Sequence, residues 1–311
     1  MGETLEITED KRAPQGQTTS FRDRIKQSEA LSIGKRLLRN RKGAAGLAVI
    51  LALVAMALFA ESLAPHDPIE LHLKDKLQPP SSSYWFGTDE LGRDILSRII
   101  FGASISLQAG LMAVVLAAAV GVVTGLLAGY MSGAFDSVIM RIWDTLLAFP
   151  AIFLAIGIVS VLGPGRMNAV IAVAIINMPA FARLVRATTL AVKGTDFVEA
   201  ARAIGCTDLR IMFRTIFPNC VAPLMVQMAI AAPAAIIVEA SLSYLGLGSQ
   251  PPEPSWGNML SSAQGYLYQA PTYGIFPGVA ITLVVIGMNY FADGLQDAID
   301  PRRIHAAAKM R

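Results

Sequence analysis

The chain has 311 residues, 54% hydrophobic and 16% charged, with a net charge of +3 and two cysteines. A soluble domain carries about 25% charged residues, and aromatics here reach only 7%, which argues against a soluble enzyme with an aromatic-rich core. Disorder, a disulfide scaffold, a zinc site with Cys/His spacing and a nucleic-acid partner are excluded on the same counts.

Residues 1–36 are polar, mixed in charge and without the apolar run of a signal peptide. They read as an N-terminal tail. Long windows free of Asp, Glu, Lys and Arg then predict an all-α polytopic protein with six membrane spans. These lie at 43–64, 103–130, 139–162, 168–190, 219–246 and 275–297, each near the 20 residues that cross about 30 Å of hydrocarbon. The first span with the segment after it covers 37–102, the core 103–297, and a C-terminal tail 298–311. Of the 26 Lys and Arg, only Lys74, Lys76, Arg93, Arg98 and Arg166 fall on one side. The other 21, both tails included, fall opposite, so both termini are expected in the cytoplasm.

The outer segment 65–102 holds His66, Asp67, Glu70 and His72, which lack fixed ligand geometry and read as a solvated loop. Within it, Gly87-Thr-Asp-Glu-Leu-Gly-Arg-Asp94 is a near miss for a phosphate loop. Asp89, Glu90 and Asp94 would repel phosphate, so a structured turn leading into span two is expected. In that span Gly121, Gly125 and Gly129 recur on one face, which favours close helix packing over lining a path. Pro150, Pro179 and Pro233 should kink spans three, four and five. Asp144 and Asp293 should pair with Arg141, Arg183 or Arg186. Asn177 and Asn289 are candidates for bonds between helices. Met225 and Met228 read as core filler.

Between spans four and five, residues 195–217 read as two short helices, amphipathic enough to dock on another protein. Thr195-Asp196 offers a start and Glu199 lies in the first turn. Gly205 permits a sharp turn. Leu209, Met212 and Phe213 should share one face, and Pro218 should mark the entry to span five. Glu239, in an otherwise apolar span, should face protein or water, either as a structural partner or as a pathway or gate residue. Beyond Gly246-x-Gly248, Trp256 and its neighbouring tyrosines suit an interfacial belt.

Glu199-Ala200-Ala201, three residues, Gly205, nine residues, then Thr215-Ile-Phe-Pro218 resembles the "EAA" loop of bacterial ABC importer permeases. Thr and Phe stand where that pattern has Ile and Leu. Trp85 to Arg98, Ser241-Leu-Ser-Tyr-Leu-Gly-Leu-Gly-Ser-Gln-Pro-Pro252 and Asp293-Gly-Leu-Gln-Asp-Ala-Ile-Asp-Pro301 are similar to the peptide/nickel class, in its second permease. The resemblance implies the type I importer architecture, a paralogous permease as heterodimer partner, two ABC ATPase subunits and an extracytoplasmic substrate-binding protein. It makes Glu199, Ala200, Ala201, Gly205, Asp208 and Pro218 an ATPase-coupling loop. ATP and Mg would sit on the partner subunits, with no cofactor and no catalytic residue on this chain. The substrate expected is a di- or oligopeptide or glutathione-like molecule, with nickel or another small solute as the alternative. From another class, an ion-coupled secondary transporter would need inverted repeats and several midplane charges; only Glu239 lies deep. An intramembrane enzyme would need a catalytic set at matching depth, and His66, His72 and His305 all lie outside the spans.

Overall fold

The computed structural model describes residues 32–299. Most of the expected tails, 1–36 and 298–311, lies outside these. The described residues are mainly helical: α1 over 32–39, α2 Arg41–Leu58, a short α3 Ala60–Leu63, α4 Ile95–Met131, α5 Gly133–Leu147, α6 Ala151–Leu162, α7 Arg166–Lys193, α8 Asp196–Ala203, α9 Asp208–Arg210, α10 Phe217–Tyr244, α11 Trp256–Ala263 and α12 Pro271–Ile299. Five helical stretches are long and apolar enough to cross a membrane, and a sixth crossing forms if the bent pair α5–α6 counts as one.

That pair corrects the third expected span. Residues 139–162 do not form one kinked helix; the chain breaks at 148–150 and turns by 97°. Pro150 stands just before the first residue of α6. It disfavours helical backbone at Phe149 and donates no hydrogen bond, so α5 ends there and a new helix starts. Pro179 and Pro233, by contrast, sit inside continuous helices.

The core is built on α4 against α7. Ala109, Ala113, Ala117, Ala169, Ala172 and Ala174 are all fully buried there. Small side chains bring helix backbones together where lipid offers no hydrophobic drive. α2 leans on α12 in the same way: a Cβ at Gly46 would overlap the Phe291 amide, and Gly43 faces Gly294. Asn40 caps α2 by accepting from Lys42 N (3.0 Å) and donates to Asp297 Oδ2 (3.0 Å). Met225 and Met228 line an apolar groove with residues of α2, α4 and α12.

The segment ahead of α4 is folded rather than loose. Asp94 caps α4, its Oδ2 accepting from Ser97 N (2.9 Å) and Ser97 Oγ (2.6 Å). Asp89 accepts from Arg93 Nε (2.6 Å), and Arg98 Nη1 donates to the Pro68 carbonyl (2.9 Å). Asp89, Arg93, Asp94 and Arg98 are all buried, so the phosphate-loop look-alike is an internal ion-pair turn. Tyr84 donates to Asp75 Oδ2 (3.2 Å), and desolvation together with that carboxylate raises its phenol above the ordinary value. Phe86 stacks on Phe276 of α12 at 3.8 Å and ties this segment to the core.

The second outer loop differs from expectation. Trp256 and Tyr273 are fully buried rather than belted at an interface, while Tyr268 is exposed. Trp256 donates from Nε1 to the Ile99 carbonyl (3.1 Å) and from its amide to Ser106 Oγ (3.3 Å). Gly102 leaves room for its indole. α11 is therefore packed on α10 and α12, with Trp256 reaching α4.

Candidate functional site

The loop after α7 holds one short helix and a glycine turn; the second short helix expected is not separate, because Asp208–Arg210 begins the rod that runs on to Tyr244. α8 starts at Asp196, with Thr195 extended before it. Glu199 lies in the first turn, where a carboxylate complements the positive end of the helix. α8 stops at Ala203 and Gly205 takes φ +78°, a left-handed conformation that favours glycine.

Beyond that turn the winding departs from expectation. Residues Ile211–Ile216 form a π-turn that runs into α10, and the Phe217 amide donates back to Met212. Pro218 stands in the first turn of α10, at the entry expected of it, although the winding runs unbroken from Asp208 to Tyr244 through the π-turn. An α-helix would drive the Pro218 ring into the Arg214 carbonyl, and the wider π-turn relieves this clash. The same winding splits the predicted face. Leu209 and Phe213 point outward, whereas Met212 joins Ile211 and Ile216 in the interior.

Two anchors hold the α8–α9 segment against the bundle. Val198 is fully buried in an apolar cluster with Leu126, Tyr130, Val185, Ile211 and Ile216. Tyr130, in the last turn of α4, donates its hydroxyl to Asp208 Oδ1 (2.5 Å). Lys193 Nζ lies 5.5 Å and Arg202 Cζ 5.6 Å from the centre of its ring. Lys193 also donates to the Tyr130 carbonyl (2.5 Å) and Ser132 Oγ (3.1 Å). Facing away are exposed Glu199, Ala200 and Pro218 and a set of uncovered apolar side chains. Ile204 is 80% exposed and Leu209 66%, with Phe197 and Phe213 about half exposed. Ala201 is half-buried. Tyr130 was the residue that sequence reasoning missed; its partner Asp208 lies 78 positions away.

Gly121, Gly125 and Gly129 all face α7. A Cβ at Gly121 would lie 2.5 Å from Phe181 Cβ, one at Gly129 2.7 Å from Thr189 Cβ, and one at Gly125 would overlap the Ala182 carbonyl. Beside this seam Arg186 makes a two-pronged ion pair with Asp136, Nε to Oδ1 at 2.5 Å and Nη2 to Oδ2 at 2.6 Å. Arg183 pairs with Asp144 at 2.5 Å, one of the pairings expected. Asp293 is exposed and takes no Arg partner among the described residues. Arg186→Lys removes the planar fork. It is expected to cost about 1–2 kcal/mol, read as a lower thermal midpoint in detergent, while Arg183→Lys at the more exposed pair changes it little.

Glu239 is not at the middle of its span. It lies five residues before the end of α10, roughly 30 Å along the helix from Pro218. It is 1% exposed, with Oε1 accepting from Ser243 Oγ (2.7 Å). Ser243 Oγ in turn accepts from the Ser249 amide (3.2 Å). The carboxyl thus ties α10 to the loop that leads to α11. Asn177 does not bond across helices; it donates to Val173 one turn back (2.8 Å), and Asn289 is exposed. His66 sits 3.7 Å from Asp94, and His72 3.6 Å from Glu70. These are two separate pairs and do not converge on one centre.

Residues 121–305 match the family described as binding-protein-dependent transport system inner membrane component. Residues 32–80 match the N-terminal TM domain of oligopeptide transport permease C. The chain is 45% identical over 268 residues to a dipeptide transport system permease protein of Alkalihalophilus pseudofirmus, covering 86% of this chain and 88% of the relative. It is 45% identical over 283 residues to a glutathione transport system permease protein of Pectobacterium atrosepticum, covering 91% and 94%. The corresponding glutathione permease of Escherichia coli O6:K15:H31 is 47% identical over 269 residues, covering 86% and 89%. In fold, the chain is similar to a chain of the MetNI methionine ABC transporter in an inward-facing conformation. The TM-score is 0.54 at 18% identity, over 66% of this chain and 98% of that one. With five to six apolar helical stretches long enough to cross a membrane, an α8 loop joining two of them and a family match over most of its length, the chain belongs to the binding-protein-dependent transport inner membrane components, the permeases of ABC importers.

Proposed function

We propose that this chain is one of two paralogous permeases of an ATP-driven importer that carries peptides, dipeptides or glutathione-like molecules, into the cytoplasm. Two ATPase subunits would supply energy from below and an extracytoplasmic binding protein would deliver substrate. Both termini would be cytoplasmic. The observation that carries this reading is the α8 loop: a rigidly anchored helix with Ile204, Leu209, Phe197 and Phe213 left uncovered. Exposed apolar side chains of this size, beside the exposed Glu199, mark a surface made to be covered by protein. The named relatives transport dipeptides and glutathione, which supports the substrate class.

In this reading the chain performs no covalent chemistry. ATP binding closes the partner ATPases, α8 moves with them, and the bundle switches between inward-facing and outward-facing forms. Substrate selection rests largely on the binding protein.

The test is a mild-detergent pull-down of the tagged chain from its native membrane, followed by uptake into proteoliposomes. A second permease and ATPase subunits should co-purify, and radiolabelled dialanine or glutathione should enter only with ATP. Recovery of a lone chain, or uptake driven by an ion gradient without ATP, overturns the reading.

A further inference from the structure

We infer that Tyr130 is the joint through which movement of α8 reaches the spans, acting as a positioning residue for coupling; this rests on the importer reading above. Four elements converge on this one side chain. It belongs to the last turn of α4. Its hydroxyl holds Asp208, the first residue of α9. Arg202 from the last turn of α8 and Lys193 from the last turn of α7 lie against its ring. A tyrosine supplies both interactions at once, a π-face for two cations and a hydroxyl donor for a carboxylate.

The geometry gives the joint a direction. α8 touches the bundle through Val198, an apolar plug that resists separation but exerts little torque. At the other end of α8 the clamp at Tyr130 has two parts: Arg202 of α8 lies over the ring, and the hydroxyl holds Asp208 just past the Gly205 turn, a bond that is directional because a hydrogen bond weakens steeply off-axis. Rotation of α8 therefore pulls on the end of α4. α4 is seamed to α7 by Gly121, Gly125 and Gly129 with no clearance, so the two helices must follow as one body. Lys193 then bonds the Tyr130 carbonyl (2.5 Å) and closes the corner between them.

The test uses the complete transporter in nanodiscs and in proteoliposomes, with Tyr130→Phe, Asp208→Asn, their combination, and Tyr130→Leu. Amide hydrogen exchange over 196–212, which includes Asp208 and the turn before it, reads the clamp directly. Uptake of radiolabelled dialanine or glutathione per ATP hydrolysed reads coupling. Tyr130→Phe keeps the ring and its packing, so the fold survives even if Tyr130→Leu does not assemble. Loss of one hydrogen bond to a charged group is expected to speed exchange over 196–212 by about tenfold and to lower uptake per ATP by a similar factor. The double variant should be no worse than either single, because both remove the same bond. Unchanged exchange in Tyr130→Phe overturns the clamp. Faster exchange with an unchanged ratio of uptake to hydrolysis overturns the relay. A wild-type transporter that imports neither probe with ATP overturns the importer reading itself, and the joint falls with it.

Discussion

Gly205→Val should give a transporter that assembles and hydrolyses ATP yet imports at least tenfold less substrate per ATP than wild type. The cause is backbone strain rather than a clash. Gly205 has φ +78°, and a Cβ built there meets nothing within 4 Å. An L-residue in this region costs roughly 1–2 kcal/mol, and a β-branched one more. About 1.4 kcal/mol is a factor of ten in an equilibrium. The turn would open, and the angle between α8 and α9 would change. Ile204 and Leu209, on either side of the turn, could then no longer present one surface to a partner. Because the surroundings are empty, size alone is harmless at this position. Gly205→Asn, which tolerates the left-handed region, should therefore keep most of the uptake, while Gly205→Ala falls between. Uptake per ATP at the wild-type level in Gly205→Val would show that the angle is not what couples. Charge reversal at Glu199 should act in the same direction, since it sits exposed in the first turn of α8 and opposes the helix dipole when made positive.

What could be read from the residues, and what could not, divides along one physical line. Charge-free windows located every apolar stretch, because the cost of burying a charge in hydrocarbon is local to the sequence. The break at Pro150 was underestimated because hydropathy is blind to direction; α5 and α6 are both apolar, and only the geometry shows that they turn by 97°. The Gly205 turn was legible because positive φ is a property of one residue. Met212 was misplaced because the 3.6-residue period fails inside a π-turn, and the signal for that turn was Pro218 itself, standing two residues after the π-turn Ile211–Ile216. Trp256 and Tyr130 lay beyond reach for another reason. Their roles depend on Ile99, Ser106 and Asp208, whose approach is set only once the helices pack. Glu239 carried a correct cue, a charge that must be covered, but its depth depended on where α10 ends.

The second large effect is expected at Gly125. Gly125→Leu should abolish recovery of folded protein or lower the thermal midpoint in detergent far more than Arg186→Lys does. At Gly125 even the first added carbon overlaps the Ala182 carbonyl oxygen. That atom is backbone inside α7, so no rotamer change can clear it. Overpacking a close-packed core costs 1–3 kcal/mol and occasionally more, and here roughly 3 kcal/mol or more is expected because two helices must separate to admit the side chain. Separation would also part Gly121 from Phe181 and Gly129 from Thr189, since the three glycines share one seam. Gly125→Ala should already destabilise for the same reason. Gly157→Ala and Gly278→Ala, with nothing within 4 Å of the new Cβ, should leave the midpoint unchanged. This contrast separates the seam from a general intolerance of α-helical glycine replacement. A wild-type midpoint for Gly125→Leu would mean that α4 and α7 do not cross where Gly125 meets Ala182. The rigid-body pairing on which the Tyr130 joint depends would then lose its basis. If the midpoint falls as expected while uptake per ATP in the surviving Gly125→Ala protein holds, the seam serves packing and Tyr130 alone sets the transmission.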